Sequence, residues 1–126
     1  VRLTLSQLRL WRVQELGIQG GRCALCGQPL DITEAVADHN HTTGELRGVI
    51  HRSCNSLLGV LENNRVRYGM KNEVHFAKFL HGVLPYTMKK RPDDTPLYPT
   101  HRTADQKRIL RNTRAKRARA AIKKGA

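Results

Sequence analysis

A chain of 126 residues with a formal net charge of +13 and a pI near 10.5 is long enough for one domain and an appendage. Its composition, 39% hydrophobic with one Trp and two Phe, supports only a small core, of the kind that often needs a disulfide or a metal as a staple. Three cysteines, two of them in Cys-x-x-Cys spacing, argue against a secreted disulfide framework. No apolar run approaches the ~18 residues of a membrane span, and the arginine-bearing start VRLTLSQLRLWR has no signal-peptide core. The expectation is a soluble protein of a reducing compartment, the cytoplasm.

The first stretch reads as a helix, opened by a capping box of Thr4 and Gln7 and stopped by Gly17 and Gly20-Gly21. Leu5, Leu8, Arg12 and Leu16 share one face with Trp11 beside it, and Arg12 is expected at the edge of that face. Cys23 to Gly27 is a tight turn. Residues 34–38 and 46–50 read as two strands of an antiparallel hairpin around the turn Thr42-Thr43-Gly44-Glu45. From Arg52 the pattern becomes helical, with Cys54, Leu57, Leu58 and Leu61 on one side and Asn63-Asn64 at the end. A further helix is expected over 71–84. Its stripe of Val74, Ala77, Leu80 and Leu84, broadened by Phe76, Phe79 and Val83, reads by default as core, though it is apolar enough for a dimer face.

Four of the five prolines fall between Pro85 and Pro99, so 85–100 reads as a linker. Residues 101–126 hold ten Lys/Arg against Asp105 alone, behind a second capping box of Thr103 and Gln106. Such a block of one charge marks a nucleic-acid arm, here helical or able to become so on an anion. Arg108, Arg111, Arg114, Lys116 and Arg117 are its candidate DNA contacts. The expected organisation is α+β and mainly helical: a domain over 1–84, the linker, and the basic tail.

The chemistry gathers in DHNHTTGELRGVIHRSCN, residues 38–55. Zinc in structural sites takes four N/S ligands. Cys23 and Cys26 supply one half, and His51 with Cys54 supplies a second pair of the same spacing. His39 or His41 could replace His51 in that set. A wholly structural reading of the four residues, without metal, is the bland alternative.

Asp38, His39, His41 and Asn55 remain. An Asp oxygen and an Asn carbonyl oxygen are hard ligands that suit Mg²⁺. An adjacent imidazole can take a proton from water at neutral pH. Together these are the parts of a one-metal phosphodiester hydrolase. Taken singly, Asp38 reads as a turn residue, Asn55 as a helix cap and His41 as a loop residue. Arg47 and Arg52 are candidate phosphate contacts, with an exposed structural role as the alternative for Arg47.

Residues 23–59, CALCG…ADHNHTTGELRGVIHRSCNSLLG, resemble the phage recombination endonuclease VII family of the His-Me finger (ββα-metal, HNH-like) nucleases. The resemblance implies a zinc-stapled ββα hairpin–helix core, with zinc on Cys23, Cys26, His51 and Cys54. It implies catalytic Mg²⁺ or Mn²⁺ on Asp38 and Asn55, His39 as general base, and His41 orienting or polarising the scissile phosphate. It also implies a homodimer resolving branched DNA such as Holliday junctions, acting in the host cytoplasm if phage-encoded. Two departures stand out. His51-x-x-Cys54 replaces the family's usual second Cys pair, and Leu57 and Leu58 occupy the helix region where some members carry an acid. The competing functions are a nicking endonuclease on ordinary duplex, as in phage DNA packaging, and a zinc-stapled DNA-binding module without catalysis.

Overall fold

The computed structural model describes residues 1–125. Its elements are α1 (Leu5–Ile18), a 3-10 turn (Ile32–Glu34), β1 (Ala35–His39), β2 (Leu46–His51), α2 (Arg52–Asn64), α3 (Glu73–Thr87) and α4 (Ala104–Gly125). The fold is therefore α+β and mainly helical, with one two-stranded antiparallel sheet among the described residues. The chain divides into two compact units, one spanning Val1–Leu84 and one beginning at Pro85.

In the first unit, α1 begins as its sequence dictates. The Thr4 hydroxyl accepts from the Gln7 amide and the Gln7 side chain accepts from the Thr4 amide. At its other end Gly20 and Gly21 take positive φ (68° and 69°), which glycine adopts without a Cβ penalty, and the chain reverses. Gln19 then ties the helix end to β2. Its Oε1 accepts from the Val49 amide (2.9 Å), and its Nε2 donates to the carbonyls of Val49 and Arg22 (both 2.8 Å).

The core is small. It consists of Leu16, Cys23, Leu30, Ala35, Val49 and Ile50, with Trp11, Ile32, Val36 and Cys54 packed against it. Arg12 does not sit at the edge of its face. Its Nη1 donates to the carbonyl of Ala35, the first residue of β1, at 3.0 Å, and its Nε is buried. The helix thus anchors a backbone carbonyl of the hairpin with a charged donor.

The strands start and end within a residue of the expected spans. The shift arises because Asp31 caps a 3-10 turn through Thr33 (2.8 Å), so β1 begins at Ala35. Pairing runs from Ala35↔His51 to Asp38↔Gly48 and then skips to His39↔Leu46. Arg47 is the extra residue of this bulge, and bulges re-aim side chains. At the hairpin tip the Asn40 Oδ1 accepts from the amides of Thr42 and Thr43, and Gly44 supplies a positive φ of 80°. α2 follows β2 with no intervening loop.

The expected core role for the 71–84 stripe is not what the fold shows. α3 buries none of its residues, and Val74 (63%), Phe79 (46%) and Leu80 (40%) are exposed. α1, the hairpin and α2 already enclose the core cluster. Phe76 is half-buried, with the Arg65 guanidinium 5.2 Å from its ring centre. α3 also runs on to Thr87, so Pro85 lies in its last turn rather than in the linker.

In the second unit, residues 88–103 carry no helix or strand, and α4 opens with the expected capping box of Thr103 and Gln106. α4 buries nothing. At 3.6 residues per turn its basic residues lie all round the axis, with no apolar stripe to dock it. The last residue of the basic tail, Ala126, lies outside the described residues.

Candidate metal centre and nuclease site

The turn at Cys23–Gly27 is held by the Gly27 amide on the Cys23 carbonyl (3.0 Å) and by a positive φ of 74° at Gly27. It is sewn to the sheet by the Ala24 amide on the Val49 carbonyl (3.1 Å). This brings Cys23 and Cys26 against the β2–α2 junction. There the ligand atoms of Cys23, Cys26, His51 and Cys54 all lie within 4.8 Å of one another. Cys26 Sγ is 3.3 Å and Cys54 Sγ 3.8 Å from His51 Nδ1. A tetrahedral zinc with Zn–S of ~2.3 Å and Zn–N of ~2.0 Å sets its donors about 3.5–3.8 Å apart, so the cluster could hold that ion.

His51 is oriented for such a role. Its Nε2 lies 3.0 Å from the Pro29 carbonyl. A carbonyl only accepts, so the ring proton sits on Nε2 and Nδ1 turns its lone pair to the sulfurs. His51 is also the N-cap of α2 and makes no side-chain capping bond, because its ring faces the thiols instead. His39, paired with Leu46, stands at the opposite end of the hairpin from His51. His51, rather than His39 or His41, is the imidazole that meets the three sulfurs.

The cysteines of the donor set differ in acidity. Burial raises the Cys23 thiol, but amide donors from Cys26, His51 and Leu25 outweigh it and bring the group down to about 6. Cys54 is pushed up to about 11, by burial first and then by the neighbouring Cys26 and Cys23. Several thiolates this close repel unless a metal shares their charge.

Asp38 is the one buried charged side chain among the described residues (5% exposed). Both its oxygens meet Arg47, at 2.7 Å from Nε and 3.1 Å from Nη2. The other edge of the same guanidinium meets Glu62 of α2, at 2.8 Å from Nη2 and 3.2 Å from Nη1. These hydrogen bonds, Glu62's foremost and then Asp38's, raise the Arg47 pKa. Four of the five guanidinium N–H groups are thereby committed, so Arg47, expected at a phosphate, is engaged by carboxylates. His39 is exposed at the end of β1, its ring centre 4.9 Å from that of His41 and tilted by 32°. Asn55 is half-buried in the first turn of α2, and Arg52 is exposed at that helix's start.

Glu62 was not among the residues expected here. It lies seven positions after Asn55, two turns along the same face of α2, and that spacing is the signal by which it could have been found. Open recesses flank the hairpin. His39 lines one of about 760 Å³ with Arg2, Thr4 and Glu45, and Asp38 and Arg47 line one of about 250 Å³ with Leu58. In the second unit Arg108, Arg111, Arg114, Lys116 and Arg117 are all exposed.

A hairpin running directly into a helix, tied at the junction by a Cys₃His cluster and carrying Asp-His at its other end, defines a ββα hairpin–helix domain. The family model for recombination endonuclease VII matches residues 3–86 of the 126, from the start of α1 into the last turn of α3. The chain belongs to that family and is an endonuclease. No curated protein matches it. Among the described residues no helix is long and apolar enough to cross a membrane.

Proposed function

We propose that this protein is a Mg²⁺- or Mn²⁺-dependent DNA endonuclease that hydrolyses phosphodiesters in branched DNA, as in Holliday-junction resolution or debranching. The observation that carries the reading is the buried Asp38 next to the exposed His39, on a hairpin that feeds into the helix bearing Asn55. Asp38 and Asn55 would hold the divalent ion, and each Asp38 oxygen keeps a second lone pair beyond its bond to Arg47. When bound, the ion supplies a positive charge beside the phosphate and the leaving oxygen. His39 takes the proton of the attacking water, and His41 orients the phosphate. Zinc on Cys23, Cys26, His51 and Cys54 fixes the first turn of α2, and with it the direction of Asn55. Arg52 and α4 contact the DNA backbone. A homodimer would cover the exposed Val74, Phe79 and Leu80 of α3 and bring two sites to opposed strands. The host cytoplasm is the expected place of action.

On zinc-loaded protein, Mg²⁺ is expected to start cleavage of a four-way junction at a rate well above that of a linear duplex of the same sequence. Equal rates would replace junction resolution with duplex nicking, and binding without cleavage under any divalent ion would leave a DNA-binding module. Deleting residues 101–126 is expected to flatten the dependence of DNA affinity on salt, because phosphate contacts release about one counterion each. The chemistry at saturating DNA should be spared. An unchanged salt slope, measured by fluorescence anisotropy, would remove α4 from the DNA interface.

A further inference from the structure

Arg47 joins Asp38 on the sheet to Glu62 on α2, and the join uses two edges of one planar group. The Nε–Nη2 edge grips Asp38 and the Nη1–Nη2 edge grips Glu62, so both carboxylates are drawn toward the plane of the guanidinium. The arrangement depends on the bulge, because Arg47 is the unpaired residue between Gly48 and Leu46. We propose that Arg47 and Glu62 are positioning residues for the divalent-cation ligand Asp38. Arg47 fixes the plane of the Asp38 carboxylate, and Glu62 holds Arg47 and restores the negative charge that Arg47 cancels.

The charge argument decides the role of Glu62. Asp38 and Arg47 alone form a neutral pair, and a neutral pair offers a cation little. With Glu62 the three groups carry one net negative charge. Asp38 can then be both ion-paired, as its burial demands, and attractive to a divalent ion. Glu62 acts at one remove, through Arg47. It is also an acid brought to this site from two turns beyond Asn55, whereas the region one turn beyond is occupied by Leu57 and Leu58.

This inference rests on the proposed role of Asp38, and its test separates the two. Mn²⁺ binding to the full zinc-loaded chain is followed by the loss of the free-ion paramagnetic signal, with zinc content measured on the same samples. Glu62→Gln is expected to weaken Mn²⁺ binding about tenfold, the scale for loss of an outer-shell partner, with zinc unchanged. In an Arg47→Met background the same Glu62→Gln change should cost less than about twofold, since Asp38 then keeps its own charge uncancelled and nothing holds Glu62 against the site. Arg47→Lys, whose point charge cannot bridge two carboxylates in one plane, serves in place of Arg47→Met if that variant loses zinc, and should likewise blunt the Glu62→Gln effect. Wild-type affinity in Glu62→Gln, or an equal tenfold loss in both backgrounds, would overturn the proposal; the latter would make Glu62 a direct ligand. A wild-type chain that binds no Mn²⁺ would instead overturn the proposed function and this inference with it.

Discussion

Replacing His39 with alanine is expected to lower the cleavage rate by about 10²–10⁴-fold, the range for a general base, while zinc content and thermal stability stay at wild-type levels. The expectation follows from where the ring sits. His39 is the last residue of β1, exposed, with its side chain outside the core cluster. Its backbone pairing with Leu46 does not depend on the imidazole. Removing the ring therefore deletes the proposed proton acceptor and no core packing. The neighbouring His41, 4.9 Å away centre to centre, is the one ring placed to stand in. His41→Ala alone should have the smaller effect, because the proposed role of His41 is to orient the phosphate rather than to take the proton. The measurement is single-turnover cleavage of a junction at saturating Mg²⁺, with zinc determined by mass spectrometry. A His39→Ala protein that retains the wild-type rate would move the base elsewhere and undo the reading of the hairpin end.

What the sequence disclosed and what it hid divide along physical lines. Both capping boxes, Thr4–Gln7 and Thr103–Gln106, were legible because a cap is a bond between residues three apart and needs no tertiary context. The meeting of His51 with Cys23, Cys26 and Cys54 was legible because two short-spaced donor pairs have one economical way to converge. The α3 stripe was misread as core. Periodicity reports that a face is apolar, not what covers it, and this core was already closed by other elements. Arg12 defeated the pattern for the opposite reason: a charged residue on an apolar face found a backbone carbonyl at its far end. The Asp38–Arg47–Glu62 array was beyond reach because it depends on a bulge. A regular two-residue alternation gives no sign that Arg47 drops out of register to join a strand carboxylate to a helix carboxylate.

The other large effect belongs to the sulfur cluster. Cys23→Ser is expected to abolish cooperative folding at 37 °C, and chelation of the metal to do the same to the wild type. Cys23 is 2% exposed and is both a core residue and the acceptor of amide hydrogen bonds from Cys26 and His51, each at 3.5 Å. The core cluster has only six buried residues, Cys23 among them, too few to hold the chain unaided. For structural zinc in small domains the binding free energy, about 10–16 kcal/mol in zinc-finger peptides, is folding free energy. Losing one of three thiolates should remove much of it. His51→Ala tests the ligand that departs from the family's usual pair. Three sulfurs would remain, so zinc affinity should fall while the fold survives at high zinc. The Nε2 bond to Pro29, which aims the ring, would go with it. Native mass spectrometry gives the occupancy and thermal melting the stability. Unchanged zinc in His51→Ala would show that another group completes the site. The alternatives that the sequence offered, His39 and His41, would have to leave the other end of the hairpin to reach it, so that one result would dissolve the proposed separation of a structural ion from a catalytic one.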